Sequence, residues 1–213
     1  MITWEEASSE RPLIAILRGL DPDRALDVAD LLVETGFRIL EVPLNSPAPL
    51  ESIQRIARRY GQQIIVGAGT VLSANQVDSV VEAGGRIIVS PNTDARVGRR
   101  AVKLGATWCP GVLSPTEAFS ALSLGASVLK FFPAELVSPG AISAVRAVLP
   151  DDTMVAVVGG ITPETLAHYH AAGANCFGLG SALFKPELKS VEIAERASAF
   201  IEAHTKLVNP QDQ

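Results

Sequence analysis

Eight times along this chain a short β-branched or apolar run is followed by a turn containing Gly or Pro, and then by an amphipathic stretch. No other feature constrains the fold as much, because parallel strands need helical crossovers and those helices need a sheet face to cover. The runs fall at 12–18, 38–44, 64–70, 86–91, 107–111, 127–133, 153–159 and 176–181. Helix punctuation repeats between them. Asp21-Pro22 opens the first helix and Gly36 stops it; Ser114-Pro115-Thr116-Glu117 and Gly125 bracket the fifth; Thr162-Pro163-Glu164 and Gly173 bracket the seventh. Eight strand–helix units in 213 residues match the count and near-minimum size of a (β/α)8 TIM barrel, an α/β fold in one domain spanning 1–213. An open doubly wound sheet is the competitor, but no Gly-x-Gly-x-x-Gly stands at the first strand–helix turn. The first ten residues read as a polar lead with helical potential, the stretch 191–207 as the closing helix, and 209–213 as a frayed tail.

Composition narrows the partners. The chain is 47% hydrophobic and only 19% charged, so a sizeable single core is expected. A net charge of -5, with Arg58-Arg59 and Arg99-Arg100 as the only basic doublets, argues against nucleic acid; both doublets suit solvated helix faces. No apolar run approaches the roughly 18–20 residues that span a bilayer, and the lead lacks a signal-peptide pattern. A cytoplasmic protein without membrane partners is the expectation. Cys109 and Cys176 lie in separate strands without metal-ligand spacing and read as reduced, partly buried thiols.

Barrel chemistry sits at the C-terminal ends of strands, so the polar side chains at those ends with inward parity are the candidates. Lys130 is the most telling, in the apolar run Ser127-Val128-Leu129-Lys130-Phe131-Phe132-Pro133. Strand alternation puts Val128, Lys130 and Phe132 on one face. Burial lowers a lysine's pKa and makes it a neutral nucleophile able to form a Schiff base; a lysine snorkelling at the rim is the structural alternative. The same parity argument selects Arg18 with Ile14 and Ile16, Glu41 with Ile39 and Pro43, and Thr70 with Ile64, Val66 and Ala68. A lone interior Glu–Lys pair also suits a structural ion pair. Four polar groups at one rim favour a site, with Glu41 as the proton carrier.

Two glycine-rich ends supply the second signal, Val158-Gly159-Gly160-Ile161-Thr162-Pro163 after the seventh strand and Gly178-Leu179-Gly180-Ser181 after the eighth. In such barrels these loops form the usual phosphate site. Glycines there let backbone N–H groups approach a phosphate closely, a helix N-terminus adds a favourable dipole, and the Ser181 hydroxyl can donate a further hydrogen bond; a glycine pair alone also suits a tight turn. His168, His170 and His204 read as solvated outer positions, and the rim has too few carboxylates for a metal cage. Metal-independent, cofactor-free chemistry is expected.

Taken in order, Leu17-Arg18-Gly19, Glu41-Val42-Pro43-Leu44-Asn45-Ser46, Gly67-Ala68-Gly69-Thr70-Val71-Leu72, Lys130-Phe131-Phe132-Pro133-Ala134-Glu135, Gly159-Gly160 and Gly180-Ser181 resemble the KDPG/KHG aldolase family. The resemblance runs from Pro12 to the last helix. It implies a homotrimeric (β/α)8 barrel and a metal-free class I aldolase, with Lys130 as Schiff-base lysine and Glu41 as proton-transferring glutamate. Thr70 and Arg18 match positions that hold the pyruvyl carboxylate and polar atoms; Gly160, Gly180 and Ser181 match the phosphate binders. The implied substrate is a phosphorylated 2-keto-3-deoxy sugar acid, cleaved to pyruvate and glyceraldehyde 3-phosphate.

Two departures bear on the branch. Phosphogluconate members carry Thr-Leu-Arg-Thr after the glutamate, where this chain has Pro43-Leu44-Asn45-Ser46 and Arg18 stands in for the arginine. They tend to have Pro-Thr before the glycine pair, where this chain has Val157-Val158. Both resemble the phosphogalactonate branch; cleavage of the gluconate epimer or of 4-hydroxy-2-oxoglutarate is the near alternative. A phosphosugar epimerase or isomerase, or a non-catalytic phosphosugar-binding barrel, is the remote one.

Overall fold

A computed structural model of the chain describes residues 1–208. The strands are β1 (Leu13–Ile16), β2 (Ile39–Pro43), β3 (Ile65–Gly69), β4 (Ile87–Val89), β5 (Thr107–Cys109), β6 (Gly111–Val112), β7 (Leu129–Phe131), β8 (Val155–Val158) and β9 (Cys176–Leu179). All pair in parallel, in the order β5-β4-β3-β2-β1-β9-β8-β7-β6. The fifth expected run is thus one barrel position in two pieces, since Pro110 between them has no N–H to give the ladder. The sheet closes there. Ser127 and Val128 N–H reach Trp108 O at 3.0 and 3.4 Å, and Lys130 N–H reaches Pro110 O at 2.9 Å.

Around the sheet run α2 (Ala25–Thr35), α3 (Pro49–Tyr60), α4 (Ala74–Glu82), α5 (Ala95–Lys103), α6 (Pro115–Ser123), α7 (Pro139–Arg146), α8 (Leu166–Ala171) and α9 (Ser190–Val208). Their ends follow the expected punctuation. Asp21 caps a 3-10 turn over Pro22–Arg24 that leads into α2, and Gly36 ends α2 at φ 112°. Ser114 and Glu117 form a capping box on α6. The seventh helix departs from expectation: Pro163 to Thr165 is a turn, and α8 has only six residues, beginning at Leu166.

Two apolar layers result. The outer one, between strands and helices, contains Leu13, Ala15, Leu17, Leu40, Val42, Leu129, Phe131 and Val157. Trp108 belongs to it, and a Cβ on Gly98 of α5 would collide with the indole ring, so the glycine is what lets this helix settle on β5. The inner layer holds Ile14, Ile39, Ile65, Ile87, Val89, Cys109, Val128, Ala156 and Cys176. The N-terminal lead is a helix, α1 (Trp4–Glu10), with a capping box between Thr3 and Glu6. Its Ala7 is fully buried in the inner layer, so the lead stoppers the barrel's N-terminal end.

The inner layer corrects the expected parity of the third strand. Ile65 faces inward in register with Ile39, as do Gly67 beside Glu41 and Gly69 beside Pro43. Ile64, Val66 and Ala68 pack outward against the helices. Thr70 misled the alternation argument because its φ of 57° lies in the left-handed region, where strand parity no longer holds. The expected frayed tail, 209–213, lies outside the described residues.

Candidate active site

At the C-terminal mouth the barrel places an amine and a carboxylate in apolar surroundings. Lys130 on β7 is 7% exposed and Glu41 on β2 is 3% exposed. Lys130 Nζ donates to Ser90 O at 3.3 Å and lies 4.5 Å from the centre of the Phe132 ring. Burial lowers the lysine's pKa, Glu41 opposes the shift, and the Arg18 charge adds to it. A Cys109 thiolate would also oppose it, but burial pushes that thiol up to about 12, so it is uncharged at neutral pH. Neither Lys130 nor Glu41 belongs to an ion pair among the described residues.

Glu41 is shaped by burial more strongly than by its neighbours. Desolvation raises its pKa to about 7, against the lowering pull of Lys130, Arg18 and the Gly69 amide. Its Oε2 is buried with no hydrogen-bond partner. That oxygen occupies the space a side chain at position 69 would fill, since a Cβ there would overlap it. The glycine on β3 makes room for the acid on β2. A carboxyl titrating near neutrality can take and return a proton at little cost.

The other rim residues surround this pair. Arg18, just beyond β1, is exposed and donates to Asn45 Oδ1 at 2.8 Å. Gly19 N–H donates to Ser46 Oγ at 2.9 Å, so the loop after β2 is tied to the loop after β1 through both residues of Asn45-Ser46. Thr70 is half-buried at the end of β3. The sequence reading quoted Asn45 only within a motif and passed over Ser90, giving neither a role, although each stands at a strand end where the search for polar residues applied. Ser90 contributes its carbonyl, which no side-chain pattern announces.

Gly159 and Gly160 follow β8 with φ of 112° and 61°, both in the left-handed region that glycine tolerates. Gly180 follows β9, and a Cβ on it would meet nothing within 4 Å; Ser181 beside it is exposed. Among the described residues the N–H groups of Gly160, Ile161 and Ser181 have no hydrogen-bond acceptor. Such free donors on glycine-rich turns form an anion cradle. The expected helix dipole contributes little, because α8 is short and begins only at Leu166, beyond the turn that follows the glycine pair.

The histidines need one correction. His168 and His170 are exposed, but His204 is 5% exposed rather than solvated, with Nδ1 3.2 Å from Arg11 Nη1. It belongs to the contact of α9 with the start of β1 and not to the mouth. Both cysteines are free and buried in the inner layer. Among the described residues no group of three or more His, Cys, Asp or Glu side chains is arranged to hold a metal ion, and no helix is long and apolar enough to cross a membrane.

A closed parallel barrel whose mouth holds a buried amine of lowered pKa near an acid titrating at about 7 suits a lyase of the imine-forming kind. Comparison with known proteins agrees. The family model for KDPG and KHG aldolase matches residues 5–198. A protein of Rhizobium meliloti (strain 1021) named "Probable 2-dehydro-3-deoxy-6-phosphogalactonate aldolase" is 46% identical over 202 residues, covering 95% of each chain. The Escherichia coli (strain K12) "2-dehydro-3-deoxy-6-phosphogalactonate aldolase" is 46% identical over 197 residues, 92% of this chain and 96% of that one. A solved structure described as "Native KDPGal structure" superposes with a TM-score of 0.91 at 46% identity, covering 93% of this chain and 96% of that one. The chain belongs to the KDPG and KHG aldolase family.

Proposed function

We propose that this enzyme is a class I aldolase cleaving 2-dehydro-3-deoxy-6-phosphogalactonate to pyruvate and glyceraldehyde 3-phosphate, with Lys130 as nucleophile and Glu41 as proton carrier. The observation that carries it is the buried Lys130 amine, its pKa lowered, beside a Glu41 raised to about 7. Neutral Nζ attacks the C2 ketone, and loss of water leaves an iminium. Glu41 takes the C4 hydroxyl proton, C3–C4 breaks, and its electrons flow into the iminium to give an enamine as the aldehyde departs. Protonation at C3 and hydrolysis then free pyruvate and regenerate the amine.

Arg18 and Thr70 hold the carboxylate and polar atoms of the pyruvyl end, and Gly160, Gly180 and Ser181 hold the phosphate. The galactonate branch is supported by the names of the two 46% identical relatives and by Val158. A Cβ on inward-facing Gly178 would lie 2.6 Å from Val158 Cγ2, so this side chain lines the mouth where phosphogluconate members tend to carry threonine. An apolar group there offers no hydrogen bond to a sugar hydroxyl, which bears on the C4 epimer accepted. The enzyme is cytoplasmic, in keeping with two reduced thiols. It works as a homotrimer, the state that the family resemblance implies.

Incubation with pyruvate and borohydride, followed by intact-mass and peptide analysis, tests the reading: a stable pyruvyl adduct on Lys130 is expected. Lys130→Ala should lose nearly all turnover. An unchanged mass, or wild-type turnover in the variant, sinks the proposal.

A further inference from the structure

The turn after β7 brings a carboxylate to the glycine pair that the mechanism reserves for phosphate. A Cβ on Gly159 would overlap Glu135 Oε2, and one on Gly160 would lie 3.1 Å from Glu135 Cγ. Both glycines are therefore in van der Waals reach of this acid, on the same ground as the unpaired N–H groups of Gly160 and Ile161. The placement is held by the backbone. Leu136 N–H donates to Pro133 O and Val137 N–H to Ala134 O, while Tyr169 Oη on α8 donates to Ala134 O at 3.2 Å and Val137 O at 3.3 Å. The side chain itself is exposed and free to turn outward. No cation pairs with it among the described residues.

We propose that Glu135 is a specificity-determining residue whose negative charge beside Gly159-Gly160 weakens the grip on the phosphate of substrate and product. An anion cradle built from backbone N–H groups attracts any anion, including free inorganic phosphate. A like charge a few ångströms away subtracts from that attraction for every phosphate. The cost matters most for ligands held by phosphate alone. A substrate also anchored at Lys130 keeps the affinity it needs, while the departing phosphorylated aldehyde, severed from that anchor, leaves sooner. This inference rests on the phosphate reading of the glycine loops.

Calorimetric titration of inorganic phosphate into wild type, Glu135→Gln and Glu135→Ala tests it, at low and at high ionic strength. Both variants should bind phosphate roughly tenfold more tightly than wild type at low salt, and the gain should shrink at high salt because screening weakens charge effects and leaves packing effects alone. The KM for the phosphorylated substrate should fall in parallel, with that for pyruvate exchange unmoved. Equal or weaker phosphate binding in the variants, including binding too weak to detect in all three proteins, overturns the proposal. Borohydride trapping of pyruvate in the same samples reports on Lys130 independently of phosphate, so a failed charge effect is told apart from a failed aldolase assignment.

Discussion

The role proposed for Glu41 depends on burial without a partner for Oε2, and the same burial makes it a liability to the fold. Its pKa is about 7 in the folded chain against 4.5 in the free group, so the folded state holds the extra proton between those values. Its contribution to stability is therefore full below pH 4.5 and is lost as pH rises through 7. Glu41→Gln should melt at a higher temperature than wild type at about pH 8, with the difference vanishing near pH 4, in calorimetric scans. Catalysis runs the other way. The proton-accepting form is the ionised one, so kcat/KM should fall on the acid side with an apparent pKa near 7. Glu41→Gln should lower kcat by about 10²–10⁴-fold and remove that limb from the pH profile. Gly69→Ala probes the same carboxylate from the side. Its Cβ would displace Oε2, so turnover should drop by an order of magnitude or more while far-ultraviolet dichroism stays unchanged.

At the scale of elements, the end of the chain is clasped to its beginning. Arg11 Nη1 contacts His204 Nδ1 and donates to Thr205 Oγ1 at 3.3 Å, which joins α9 to the segment that leads into β1. Burial lowers the pKa of His204 to about 4, and the nearby charges of Arg11 and His170 push it the same way. The neutral ring accepts from Arg11; a protonated one meets a cation. Because the folded-state value lies below the ordinary 6.5, the unfolded chain binds the extra proton between them, and stability falls as pH drops from 6.5 to 4. Denaturant titrations at about pH 7 and about pH 5 should show this loss in wild type and a smaller one in His204→Gln, whose amide can still accept from Arg11. The split at Pro110 and the shortness of α8 belong to this scale too. Neither changes where the site lies, because β6 and β8 keep their register with Lys130 at Gly111 and Ala156.

For the molecule as a whole, the stopper at the N-terminal end separates the barrel interior from solvent on the side away from the mouth. Ala7→Asp would place an unpaired carboxylate against the inner layer and should cost about 3 kcal/mol of stability, read by denaturant unfolding, with KM unaffected in the folded fraction. The proposed trimer is a matter for light scattering on the eluted protein. A mass near three times 22.4 kDa is expected, and a monomer at all concentrations would remove that element of the proposal.

Much of this was written in local chemistry. Alternating apolar runs and capped amphipathic stretches dictate a parallel sheet wrapped by helices, and a lysine in an apolar strand near its end points to the proposed chemical centre, because both follow from period and polarity along the chain. Three things waited for the tertiary structure. The parity of β3 turned on the left-handed backbone of Thr70, which no residue type announces. The burial of Ala7 and His204 depended on elements far apart in sequence meeting at the ends of the barrel. The approach of Glu135 to Gly159-Gly160 depended on β7 and β8 lying side by side, so that two loops remote in the chain share one space. Periodicity tells which way a side chain faces; only closure of the barrel decides what it faces.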